Sequence, residues 1–305
     1  MKQTGLVFIY ILLTFTMLFW GTSFVFTAAL LPILDPISIV FSRLVISSIL
    51  LWTTTLLFFR KQKLPKSLLK WVFLLAFFEP FIYFIGETYG LQRVSPVVVS
   101  LIITTIPVFT AIVMSIFFHT KLSAVNFLGI FISIFGVCCM ILNKDFTFSA
   151  DVIGILLVFI AVFSAVGHCV ILNKLAKNTH PVWIVTLQNT FGILLFLPLF
   201  LLLGESPDYE KGKVLFSFLS VKETMWFYII MLAVFCSTLA FIFYILAVQK
   251  IGVVKSNVFS NVIPIFTAII SYFLLDELLT VQKIAGIIIV IFGLVLTQKT
   301  VEKKK

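Results

Sequence analysis

Arg43, Glu79 and Glu87 are the residues most able to do chemistry in this chain, because each interrupts an otherwise apolar run. Ionisable side chains are costly in hydrocarbon, and where they persist they mark ion pathways, proton relays or ligand charges. Glu79, Tyr83 and Glu87 stand at i, i+4 and i+8, so a helix would carry them on one face. Arg43 lies seven residues past Pro36, about 10 Å along a helix rising 1.5 Å per residue. That depth falls between the two carboxylates, so the single cation fully neutralises only one of them. Glu79, the deeper carboxylate, is then expected to take up and release a proton, with Glu87 and His168 as further charge-coupling groups. The alternatives are a static Arg43 to Glu79 bridge, an Arg43 that snorkels to the surface, and a His168 that merely packs through a hydrogen bond.

A second set could bind a solute. Ser100, Thr104 and Pro107 recur at the same spacing as Asn257, Asn261 and Pro264, with Ser260 added. Each proline removes a backbone donor and leaves a carbonyl one turn earlier free, at Ile103 and Ser260, so Pro107 and Pro264 are expected to be hinges. Trp20, followed by Gly21, Thr22 and Ser23, suits a cavity wall or a close helix crossing. With Tyr83 and Gln188, these give a solute-binding set of Trp20, Tyr83, Ser100, Thr104, Gln188, Asn257, Ser260 and Asn261. The alternative is that hydroxyls and amides only hold helices together.

The elements that position these residues are legible in the apolar runs. Hydrophobic residues make up 61% of the chain and charged residues 11%, and mean hydropathy is +1.21; soluble domains are about 25% charged. Ten runs, near 5–31, 36–59, 68–89, 95–118, 124–142, 151–173, 181–203, 222–248, 255–275 and 281–298, are long enough to cross a bilayer. They lack the alternation of barrel strands, so the expected fold is all-α: a polytopic membrane protein with ten transmembrane helices.

Gln92 to Gly136 returns as Gln249 to Gly293 at a constant offset of 157, with Pro107 on Pro264 and Gly129 on Gly286. The chain reads as two five-helix repeats, 1–145 and 146–305. With both termini cytoplasmic, 15 Lys and Arg residues fall in inside segments and six outside, which fixes the orientation. Five helices per repeat is an odd number, so the second copy enters from the opposite face and the repeats are inverted.

Other classes drop out. There is no H-E-x-x-H, P-loop, G-x-S-x-G or CxxC, and His119, His168 and His180 are scattered, so no enzyme, metal site or cofactor is expected. Cys138, Cys139, Cys169 and Cys236 read as small buried residues. The net charge of +10 lies in short loops beside helix ends, where it meets lipid rather than nucleic acid. The first run is longer than a signal-peptide core and is broken by Trp20 to Ser23, so it is read as a helix. Gly129 with Gly136, and Gly286 with Gly293, make the fifth and tenth runs scaffold or homodimer helices, the protein being a monomer or homodimer. Residues 204–221 form the longest loop, expected outside.

The Phe19, Trp20, Gly21 segment, the leads Gly-Leu-Gln-Arg-Val-Ser and Ala-Val-Gln-Lys-Ile-Gly at residues 90–95 and 247–252, and the two Pro-x-Phe-Thr-Ala blocks resemble the EamA branch of the drug/metabolite transporter superfamily. The resemblance covers essentially the whole chain. It implies a pore lined by the first four helices of each half, with the fifth and tenth outside it. It also implies a glutamate after the fourth and ninth helices; the second is Glu277, but the first position is Thr120, followed by Lys121, so Glu277 is read as structural. The expected function is secondary transport of a small metabolite or amino acid, outward across a bacterial inner membrane by alternating access, with a proton as the coupling ion. Import of a similar solute, and a membrane protein without solute turnover such as a lipid scramblase, stay open.

Overall fold

A computed structural model describes residues 3–60, 65–118, single positions between 125 and 139, 151–177, 179–214, 219–278 and 280–298. The described secondary structure is helical. We label the helices α1 (Gln3–Leu30), α2 (Pro36–Phe58), α3 (Leu69–Leu91), α4 (Pro96–Ile103 continued by Ile106–Phe118), α5 (Val152–Leu175), α6 (Pro181–Leu203), α7 (Val221–Ile251), α8 (Val253–Leu275) and α9 (Val281–Gln298). Among the described residues, eight helices, α1 to α8, are long and apolar enough to cross a membrane. The expected count of ten is therefore not confirmed among the described residues. Run 124–142 lies largely outside the described residues, and the apolar part of α9, Ile284–Gly293, is shorter than a span.

Polar caps set where the helices begin. Asp35 accepts from Ser38 N at 2.9 Å ahead of Pro36, Asp151 accepts from Ile153 N at 2.8 Å, and Ser220 with Glu223 forms a capping box. Pro181 opens α6 as Pro36 opens α2, with no backbone donor lost from either ladder. Gly252, at φ 86°, takes the left-handed turn from α7 into α8 that a side chain would resist.

Among the described residues, four helices are interrupted. In α3 the break covers Phe77–Ile82, where Glu79 has an extended backbone (φ −141°, ψ 118°) and the Glu79–Pro80 peptide is cis. In α7 it covers Leu232–Leu239, which the offset of 157 places over the break in α3. Irregular backbone survives at membrane depth only where protein satisfies it. Here Ser164 Oγ donates to Phe78 O at 2.5 Å, Gln188 Nε2 to Glu79 O at 2.8 Å, and Asn189 Nδ2 to Ser237 O at 3.4 Å. Glycines make room for the first break: a Cβ at Gly192 would sit 2.5 Å from Pro80 Cγ, and one at Gly167 2.6 Å from the Phe78 ring.

The other two breaks precede the paired prolines. In α4 a turn at Thr104 and Thr105 separates its two pieces, and in α8 a 3-10 segment, Val258–Val262, leads into Pro264. The Ser260 carbonyl, expected to be free, accepts Ile263 N, because the tighter 3-10 turn brings that donor within reach. Pro96–Ile103 of α4 packs on Ile263–Leu275 of α8, and Ile106–Phe118 packs on Val253–Asn257, so the two helices run past each other in opposite directions.

Gly136 lies against α9, where an added Cβ would sit 2.8 Å from Val290 N, and Gln282 Nε2 donates to Cys139 O at 2.7 Å. That glycine is used for a contact within the chain. The 204–221 segment is tied to the turn between α1 and α2 by Asp208 N to Ile33 O, 2.8 Å, and Glu205 N to Asp35 Oδ2, 3.0 Å. Ser271 Oγ donates to Glu277 at 2.6 Å, closing the end of α8 as a structural glutamate would; Thr120 and Lys121 lie outside the described residues.

Candidate functional site

Between the helices lies a central cavity of about 60 Å³. Its walls come from α1 (Trp20, Ser23, Phe24), α2 (Arg43), α3 (Glu79, Tyr83, Phe84, Glu87), α4 (Ile103, Ile106), α5 (Ala165, His168, Cys169), α7 (Phe241, Tyr244) and α8 (Asn257, Ser260, Ile263). Most of that surface is apolar, with charge and hydrogen-bonding groups at a few points, the usual constitution of a small-molecule site.

Arg43 is 1% exposed. Its Nε donates to Ser237 Oγ at 2.9 Å, in the break of α7, and its guanidinium carbon lies 4.4 Å from the Phe84 ring centre. One terminal nitrogen, Nη1, has no protein partner, and neither has Glu87 Oε1. The expected alternative of an Arg43 to Glu79 bridge is not formed: Ser237 and Phe84 hold the guanidinium, and Glu79 turns to another partner. That partner is His168, whose Nδ1 is 3.3 Å from Glu79 Oε2. Arg43 is also too deeply enclosed to snorkel.

Elsewhere in the lining the Tyr244 hydroxyl donates to Asn257 Oδ1, and Asn257 Nδ2 lies 3.4 Å from Cys169 Sγ. Trp20 closes one wall, its ring 5.2 Å from that of Tyr244 and 5.5 Å from that of Phe241.

Of the solute-binding set, Trp20, Tyr83, Asn257 and Ser260 line the cavity. Ser100, Thr104 and Asn261 are buried outside it. In apolar surroundings the two hydroxyls close on their own helix, Ser100 Oγ to Val97 O and Thr104 Oγ1 to Leu101 O, both at 2.7 Å. Gln188 stands behind the cavity and bonds the broken backbone of α3. Among the charge-coupling residues, Arg43, Glu79, Glu87 and His168 all face the space.

Sequence reasoning missed Cys169 and Tyr244 as cavity groups and Ser237 as the partner of Arg43. The repeat carried a signal for Tyr244, since the offset of 157 takes Glu87 to it. Ser237 had no such signal, being one hydroxyl among many in apolar helices.

Comparison with known proteins accords with this architecture. A family model described as the EamA-like transporter family matches residues 7–142 and again 152–298. The chain is 28% identical over 270 residues to the uncharacterized transporter YetK of Bacillus subtilis (strain 168), covering 86% of this chain and 77% of that protein. It is 25% identical over 285 residues to an uncharacterized transporter of Archaeoglobus fulgidus, covering 93% and 96% respectively. One solved crystal structure superposes with a TM-score of 0.67 over 94% of this chain and 95% of that one, at 12% identity, a likeness of fold alone.

Proposed function

Since the chain belongs to the EamA-like transporter family, we propose that it is a secondary active transporter, exporting a small metabolite or amino acid across a bacterial inner membrane by alternating access, with Glu79 carrying a coupling proton. It is a multi-pass membrane protein, and the Lys and Arg distribution supports cytoplasmic termini. The antiparallel packing of α4 on α8, and the matched breaks in α3 and α7, support two inverted repeats, 1–145 and 146–305, rocking about the cavity.

The observation that carries the reading is the cavity itself. It is enclosed by helices from both repeats, and it holds a buried carboxylate beside a histidine and an arginine with an unused donor. Moving a bare carboxylate through an apolar passage is costly, and protonation removes that cost. Glu79 thus exchanges its proton with whichever side the cavity faces, while Arg43 and Glu87 meet charged groups of the solute.

The test is a metabolite-pool transport screen in proteoliposomes with and without a pH gradient, repeated with Glu79→Gln. Coupling at Glu79 predicts that pH-driven accumulation disappears while exchange of solute at equal pH survives. A folded Glu79→Gln protein with unchanged pH-driven accumulation would sink this assignment.

A further inference from the structure

We propose that Gln188 is a positioning residue that holds His168 as a neutral ring with its one proton on Nδ1, directed at Glu79. The proposal rests on the reading of Glu79 as the proton-carrying group and says how its neighbour is prepared for that task.

The argument runs from atoms that have no choice of role. The Glu79 main-chain oxygen only accepts, so the Gln188 atom 2.8 Å from it must be the amide nitrogen. This fixes which way round the carboxamide sits. The same nitrogen lies 3.4 Å from His168 Nε2. An amide nitrogen only donates, so His168 Nε2 must present its lone pair. The ring proton is then on Nδ1, 3.3 Å from Glu79 Oε2. A second proton on Nε2 would set one donor against another. Turning the amide to offer Oε1, a buried atom with no partner at present, would give up the bond to Glu79 O and set one carbonyl oxygen against another.

The break in α3 is what makes this possible. Glu79 takes an extended backbone, so its carbonyl leaves the helical ladder and becomes available to a side chain on α6. One residue therefore supplies both ends of the device, its side chain facing His168 Nδ1 and its carbonyl orienting the amide that faces Nε2. The consequence for transport is that His168 serves as a hydrogen-bond donor to Glu79, and the exchangeable proton belongs to the carboxyl group. The other titratable or charged groups around the pair are Arg43 on α2, Tyr83 and Glu87 on α3, Cys169 on α5 and Tyr244 on α7. None of these is placed to bond His168 Nε2.

The experiment is nitrogen NMR of histidine-labelled protein in lipid nanodiscs, with the His168 signals assigned by their loss in His168→Gln. The expected wild-type result at neutral pH is a protonated Nδ1 and an unprotonated Nε2. Gln188→Leu should populate a protonated Nε2, and Gln188→Glu, whose carboxylate accepts from that nitrogen, should do so more fully. A wild-type ring protonated on Nε2 overturns the proposal without recourse to any variant, as does a folded Gln188→Leu protein with an unchanged ring spectrum. The spectrum reads the tautomer whether or not protons drive transport. A correct tautomer together with unchanged pH-driven accumulation in Glu79→Gln would therefore refute the coupling reading and leave the role of Gln188 standing.

Discussion

Arg43 and Gln188 stand at matching places on their helices, each seven residues past the proline that opens it, and each reaches into a broken helix. Arg43 bonds Ser237 in α7, and Gln188 bonds Glu79 in α3. The helices that carry them, α2 and α6, pack along each other, and each also packs on the break its side chain enters. Arg43 and Glu79 are thus held by one reciprocal arrangement, in which α2 and α6 each bond the break that the other's neighbour carries.

Replacing Arg43 tests its unused donor. With Nε taken by Ser237 and the ring of Phe84 beneath it, the free Nη1 is placed for an anionic group on a solute. Hydrogen bonds to charged groups contribute about 1.5–3 kcal/mol, so Arg43→Met should raise the solute KM roughly 10- to 100-fold. Arg43→Lys keeps the charge and loses the planar fork, and should recover only part of that loss. Equal KM values in all three proteins, measured by uptake in proteoliposomes, would exclude Arg43 from solute binding.

Gly192 should tolerate nothing larger. A Cβ there would lie 2.5 Å from Pro80 Cγ and 3.3 Å from Leu44 Cδ1, and the proline ring is rigid. Overpacking a well-filled site costs about 1–3 kcal/mol, so Gly192→Ala should lower the melting temperature in detergent and loosen the α3 break. An unchanged melting temperature would show that Pro80 moves aside freely.

What was legible in the sequence was whatever reports on one helix at a time. Apolar runs located the spans, and Pro107 with Pro264 marked two of the breaks. The break at Leu232–Leu239 contains no proline and no charge, and only its register with Phe77–Ile82 betrays it. Pairing between helices was the harder part. Spacing put Glu79 and Glu87 on one face but could not say how α3 and α5 are rotated against each other, which is what sets His168 rather than Arg43 against Glu79. Nor does spacing distinguish a hydroxyl that faces a cavity from one that closes on its own helix, and so the spacing puts Ser100 and Thr104 beside Ser260 in the cavity, where Ser23 is found instead.

Acid should weaken the start of α5. Asp151 takes Arg93 Nη1 at 2.8 Å and accepts from Ile153 N and Gly154 N, and these donors hold its carboxyl below the usual carboxylate range. A lowered folded-state value means the contribution is complete above the unfolded value of about 3.9 and is lost as pH falls through the folded one. Asp151→Ala should therefore lower the melting temperature at pH 7, and the gap from wild type should close on acidification below pH ~4. A gap that persists at low pH would mean that the carboxylate is not its source.

The prolines give the last test, because the backbone already departs from the α-helix ahead of each of them. In α4 the turn at Thr104 and Thr105 comes before Pro107, with both hydroxyls bonded back to the carbonyls of Leu101 and Ile102. In α8 the 3-10 segment Val258–Val262 comes before Pro264 and carries Ser260 into the cavity. Alanine at either position restores a backbone N–H and lets the ladder run on through the break. A straightened helix no longer bends where α4 and α8 cross. Pro107→Ala and Pro264→Ala should each slow transport on the order of 10-fold, about 1.4 kcal/mol in the barrier. Removing an interior proline should not itself destabilise the helix, so the melting temperature should stay level or rise. Uptake rates and melting curves on the same preparations separate the two effects. Wild-type rates in both variants would remove the hinges from the mechanism, whereas a loss of transport that tracks a loss of stability would assign the prolines to folding.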